Sequence, residues 1–152
     1  MKIVAANRRA LVKYHILETY EAGISLTGSE VKSIRAGKAN LQDSFGRIEK
    51  EEAYLFNAHI SPYAMGGLYG HSDPTRRRKL LLHKAEIRRL MGKLMIKGLT
   101  LIPLEIYFSD KGMAKVKLGL GKGKTGPDRR DEIKKKELGR EMRRDFKGRH
   151  NL

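Results

Sequence analysis

Leu99-Thr-Leu-Ile-Pro-Leu-Glu-Ile-Tyr-Phe108 and Met113-Ala-Lys-Val-Lys-Leu-Gly-Leu120 flank the tetrad Ser109-Asp-Lys-Gly112, and this arrangement decides the fold. Two strand-like runs on either side of a short turn containing Gly predict an antiparallel hairpin. In the second run Val116, Leu118 and Leu120 alternate with Lys115, Lys117 and Gly119. One face is therefore expected in a core, and the other, basic, outside.

Upstream of the hairpin, Ile87, Leu90, Met91, Leu94 and Met95 recur at helical spacing, with Gly98 placed to end the helix. Such a Leu and Met stripe is expected to be core. Asn40 to Ile48 and Glu52 to Ile60 read as two strands around the acidic turn Glu49 to Glu51. Thr27 and Glu30 have capping-box spacing, which predicts a two-turn helix ending before Gly37, with Lys32 and Arg35 facing out. Tyr14 to Leu26 alternates like a strand, with Gly23 as a bulge or bend, and Asn7 can cap a short helical turn before it. Ser61 to Pro74 is a loop in which Tyr63, Tyr69 and His71 are candidate stacking groups. Short antiparallel strands with helices between them give a mainly β fold class. The expectation is a small closed antiparallel barrel of the oligonucleotide-binding kind over residues 1–120, with flanking α-helices.

From Gly121 to Leu152 the pattern is lost: cations outnumber acids and few residues are apolar. Leu138, Met142 and Phe146 fall on one helical stripe, too little to order the segment alone. Residues 121–152 are therefore expected to be a basic C-terminal tail, disordered when free and partly helical against a polyanion.

The chain of 152 residues carries a net charge of +16, a field that attracts nucleic acid or an anionic membrane. No apolar run has the length of a membrane span, and there is no secretory signal pattern. The absence of cysteine excludes disulfides and thiolate chemistry and fits a cytoplasmic protein. Gly119 to Thr125 is one residue short of a phosphate-binding loop, and Pro127 follows where a helix would be required. His15, His59, His71, His83 and His150 lack metal-ligand spacing, and no nucleophile has a base nearby. No catalytic residue, metal or cofactor is expected; the reading is a protein that binds RNA or DNA and not an enzyme.

Seven motifs carry a resemblance. Tyr20-Glu-Ala-Gly-Ile, Gly28-Ser-Glu-Val-Lys-Ser, Arg35-Ala-Gly-Lys-Ala-Asn-Leu, His59-Ile-Ser-Pro-Tyr, Arg78-Lys-Leu-Leu-Leu-His, Lys97-Gly-Leu-Thr and Lys122-Gly-Lys occur in this order. From about Asn7 to at least Arg130 the chain resembles the SsrA-binding protein (small protein B) family. The resemblance implies binding to the tRNA-like domain of transfer-messenger RNA and delivery to the A site of stalled ribosomes, the process called trans-translation, or ribosome rescue. It also implies the ribosome as partner, with the tail in the small-subunit decoding centre and empty mRNA channel. An elongation factor carrying the aminoacylated RNA is a further implied partner. The alternative is a general ribosomal-RNA- or tRNA-binding barrel of the initiation-factor or ribosomal-protein type.

The motif positions suggest an RNA-binding set of Glu21, Leu81, His83, Lys115, Lys32 and Arg35. A Glu21 carboxylate suits base N–H donors, with a plain place on the barrel rim as the rival. Leu81 offers an apolar surface to an unstacked base, with core packing as its rival. Lys115 suits a phosphate, or is simply a solvated lysine. In the tail, Lys122, Gly123 and Lys124 match the family's Lys-Gly-Lys motif and Asp128 and Arg130 the Asp-Lys-Arg after it; with Arg129 they form the set that the resemblance places in the decoding centre. Glycines between the lysines would let the chain follow a phosphate backbone. Ser29 replaces the family's threonine, Arg129 its lysine, and Pro127 stands where the family carries His or Tyr.

Overall fold

The computed structural model describes residues 1–62 and 73–124. Its strands are β1 (Lys2–Ala6), β2 (Tyr14–Ile24), β3 (Ala39–Asn40), β4 (Phe45–Glu49), β5 (Glu52–Phe56), β6 (His59–Ile60), β7 (Arg78–Leu81), β8 (Leu99–Phe108) and β9 (Ala114–Gly123). Its helices are α1 (Arg8–Lys13), α2 (Gly28–Arg35) and α3 (Lys84–Leu94). The expected hairpin is present as β8 and β9, paired antiparallel from Phe108 opposite Ala114 to Leu99 opposite Lys122. From β8 the hydrogen-bonded order runs β4, β5, β7, β2, β9, and β9 returns to β8, so the ring closes into a barrel. β1 is added to β8 outside the ring.

Alternation puts Ala22, Leu55, Leu80, Leu101, Ile106, Val116 and Leu118 inside as one core. Each buried branched side chain of this kind contributes about 1.5–3 kcal/mol relative to exposure. α2 has the expected capping box: Thr27 N donates to Glu30 Oε1 at 2.9 Å, and Glu30 N to Thr27 Oγ1 at 3.3 Å. Asn7 caps α1, its Oδ1 accepting from Ala10 N, while its Nδ2 donates to the Leu41 and Pro103 carbonyls.

The two expected strands of residues 40–60 are each broken. Asp43 and Asn57 take left-handed backbone conformations (φ 62° and 64°), and Asn57 Nδ2 donates to the Asp43 carbonyl. β3 and β6 thereby leave the barrel and form a separate two-stranded sheet. Asn and Asp tolerate that conformation, which is why no glycine marks the breaks.

Gly23 is not a bulge. Its pairing with Leu81 and Lys115 is regular, and the register slips at Leu17 instead, between Ile16 and Glu18. β9 also continues past Leu120, so Gly121, Lys122 and Gly123 pair with Ile16, His15 and Tyr14 of β2. A Cβ on Gly121 would lie 2.8 Å from Ile102 Cδ1 and 3.1 Å from Tyr14 Cβ. One on Gly119 would lie 3.0 Å from Leu104 Cδ1. These two glycines make room for a second small core of Ala10, Ile102 and Leu104, with Tyr14 and Ile16 against it. The outer face of β9 is thus open and basic at Lys115 and Lys117 but covered at Gly119.

The α3 stripe is core only in part. Ile87 and Leu90 are buried, whereas the helix ends at Leu94 and Met95 is 87% exposed. Lys93 Nζ pairs with Glu18, which also accepts from Tyr20 at 2.7 Å, tying α3 to β2. Among the described residues no helix is long and apolar enough to cross a membrane.

Candidate nucleic-acid interface

Three adjacent strands bring the expected contact residues together. In β7, β2 and β9 the inward positions are taken by Leu80, Ala22, Ile24 and Val116, all buried. The alternate positions, Leu81, Glu21, Gly23 and Lys115, must therefore face outward. Gly23 is the Cα partner of Leu81 on one side and of Lys115 on the other. Leu81, Gly23 and Lys115 thus lie in one row across the wall, with Glu21 two residues away opposite Lys117.

Leu81 is 53% exposed, between the buried Leu80 and the partly buried Leu82. That decides against core packing for Leu81. A Cβ on Gly23 would lie 3.2 Å from Leu81 Cβ and 3.4 Å from its Cδ1. The bare glycine is what lets the leucine lie over the neighbouring strand.

Tyr107 is a residue the sequence reading missed. It is the Cα partner of Lys115 on the far side of β9, is 6% exposed, and its hydroxyl donates to Glu21 Oε2. Burial, the bond to Glu21 and the charges of Glu21 and Glu105 push the phenol up to about 12. The hydroxyl therefore remains a donor at neutral pH. It engages one oxygen of the Glu21 carboxylate, and Glu21 is otherwise exposed. Lys117 stands 3.8 Å from Glu105 on the same face. No motif signals Tyr107, because its tie to Glu21 spans 86 positions.

The remaining candidates are placed differently. Lys32 and Arg35 are exposed, as expected, but are carried by α2 and not by this strand face; the Arg35 guanidinium lies 5.4 Å from the Phe108 ring centroid. His83 is the exposed residue that caps α3, its N–H donating to Glu86 Oε1 at 3.3 Å. Lys122 and Gly123 belong to β9, and Lys124 N donates to the Lys13 carbonyl at 2.7 Å. Tyr63, Tyr69, His71, Pro127, Asp128, Arg129, Arg130 and the stripe Leu138, Met142 and Phe146 lie outside the described residues. Chemically the face offers an acceptor, an apolar plate and a cation in register, a set that suits a base edge, a base plane and a phosphate.

A protein-family model described as SmpB protein matches residues 4–148. The SsrA-binding protein of Pelotomaculum thermopropionicum is 55% identical over 152 residues, covering 100% of this chain and 98% of its relative. That of Desulforudis audaxviator is 57% identical over 147 residues, covering 97% of this chain and 95% of its own. A solved structure described as "tmRNA-SmpB: a journey to the center of the bacterial ribosome" contains a chain 57% identical to this one. It superposes with a TM-score of 0.69 over 88% of this chain and 92% of that one.

Proposed function

The chain belongs to the SmpB protein family, and from that premise we propose that it is the transfer-messenger-RNA-binding adaptor of trans-translation. It binds the tRNA-like domain of the RNA and brings it to the A site of a stalled ribosome. Its work is binding and delivery in the cytoplasm, not turnover, and its partners are that RNA, the ribosome and an elongation factor carrying the charged RNA.

The observation that carries the assignment of the contact face is the row Leu81, Gly23, Lys115 with Glu21 beside it. Glu21 accepts from a base, Leu81 supports an unstacked base, and Lys115 neutralises phosphate. His83, Lys32 and Arg35 add contacts around this face. Lys122, Gly123 and Lys124 direct the chain onward, and Asp128, Arg129 and Arg130 act with the rest of the segment to 152 in the decoding centre and mRNA channel.

Separate tasks for barrel and tail make a truncation decisive. It has to begin after Lys124, because removing Gly121 to Gly123 would take pairing residues out of β9. A chain ending at Lys124 is expected to bind the RNA and fail to support tagging in a reconstituted translation system. Tagging by the truncated chain would refute the role given to the tail.

A further inference from the structure

The outer face of the β4–β5 hairpin presents aromatic rings and arginines where solvated polar residues would suffice for a barrel wall. Phe45 pairs with Phe56 and Arg47 with Tyr54, while the alternate residues Gly46, Ala53 and Leu55 are buried. The Phe45 and Phe56 rings are stacked, 5.5 Å between centroids at 8°. The Arg47 guanidinium lies 5.9 Å from the Phe56 centroid and that of Arg77 4.5 Å from Tyr54. All three rings are half-buried and both arginines exposed.

We propose that this face is a second RNA contact, which holds unpaired nucleotides of the bound RNA by stacking on the rings and guanidinium planes. The inference rests on the RNA-binding function above. Two observations bear on the occupant and on how it is held. One is continuity: Tyr54 is the Cα partner of Lys79, which lies two residues before Leu81 on the same face of β7. The outer wall continues round the barrel from Lys115 through Gly23, Leu81 and Tyr54 to Arg47, over five of the six strands of the ring, with β7 adjoining β5. The other is charge. Glu49 lies 3.0 Å from Arg77 and 3.9 Å from Arg47, and Glu52 lies 3.2 Å from Lys79 and accepts from Tyr54 at 2.8 Å. With its cations largely compensated, the face is a poor phosphate clamp. Stacking, which tolerates any base, is the interaction left.

The test uses the full chain, a single-stranded RNA hexamer containing 2-aminopurine, and the tRNA-like domain. Phe56→Ala and Arg77→Ala are each expected to weaken hexamer binding by about fivefold to 150-fold, the range of one lost base stack. The log–log salt slope stays unchanged, whereas Lys115→Ala lowers the slope for the tRNA-like domain by roughly 0.7 to 0.9. Phe56→Tyr retains binding. Arg77→Ala touches only an exposed side chain, so it stands as the test should Phe56→Ala prove unstable. Wild-type hexamer affinity in Arg77→Ala and in folded Phe56→Ala would overturn the proposal. If Leu81→Ala still weakened binding of the tRNA-like domain in that case, the adaptor reading would stand without the second contact. Wild-type binding of both RNAs with weakened ribosome association would overturn it in favour of a ribosomal contact at this face.

Discussion

Arg78 Nε lies 2.7 Å from Glu30 Oε2, and the two side chains are 0% and 3% exposed. This bond joins β7 to α2 across 48 positions. Arg76 also donates to Glu30, and Arg78 NH groups reach the Ala58 and Pro74 carbonyls. The cation run Arg76-Arg-Arg-Lys79 thus contains one fully buried arginine whose role is structural.

Glu30→Ala is expected to destabilise the barrel by about 3–5 kcal/mol, since it leaves buried arginine charge without its partner. Urea denaturation at neutral pH measures this.

The same carboxylate predicts a pH dependence. Burial pushes the Glu30 carboxyl up, but hydrogen bonds from Arg76, the Thr27 N–H and Arg78 outweigh it and hold it below its ordinary value of 4.5. The stability it supplies is therefore complete above that value and is lost as pH falls through the lower folded one. Urea midpoints between pH 6 and pH 3 are expected to fall more steeply for the natural chain than for Glu30→Gln; parallel curves would contradict the linkage.

Gly121→Ala separates barrel from arm. In an unpatterned arm the change would be neutral, but here the added Cβ meets Ile102 at 2.8 Å. A loss of about 1–3 kcal/mol, typical of overpacking, is expected in thermal or urea unfolding.

Tyr107→Phe removes only the hydroxyl that holds Glu21. RNA affinity is expected to fall roughly fivefold, the worth of about 1 kcal/mol for one hydrogen bond. Combined with Glu21→Ala, the two losses are expected not to add, because they remove one shared interaction. Additive losses would mean that Tyr107 acts independently of Glu21.

The hairpin, the capping box and the apolar stripe of α3 were readable because each is a local pattern of period two or 3.6. The breaks at Asp43 and Asn57 were hidden since neither is a glycine. Gly119 falls in the outward strand positions and Gly121 in the unpatterned arm, and neither shows its reason locally, because the bulk of Leu104 and Ile102 lies on another strand. For the same reason motif position could nominate Glu21, Leu81 and Lys115 but could not show that Gly23 sets two of them in one row. Tyr107 and the Glu30–Arg78 pair depend wholly on distant contacts and left no local signal.

The most direct measurement is a competition titration of the full chain between the tRNA-like domain of transfer-messenger RNA and an elongator tRNA at two salt concentrations. It is run alongside Glu21→Ala, Leu81→Ala and Lys115→Ala. The account expects a preference of about tenfold or more that survives added salt and is eroded by all three substitutions. Equal binding that collapses with salt, untouched by the substitutions, would contradict it and leave a general basic RNA-binding barrel.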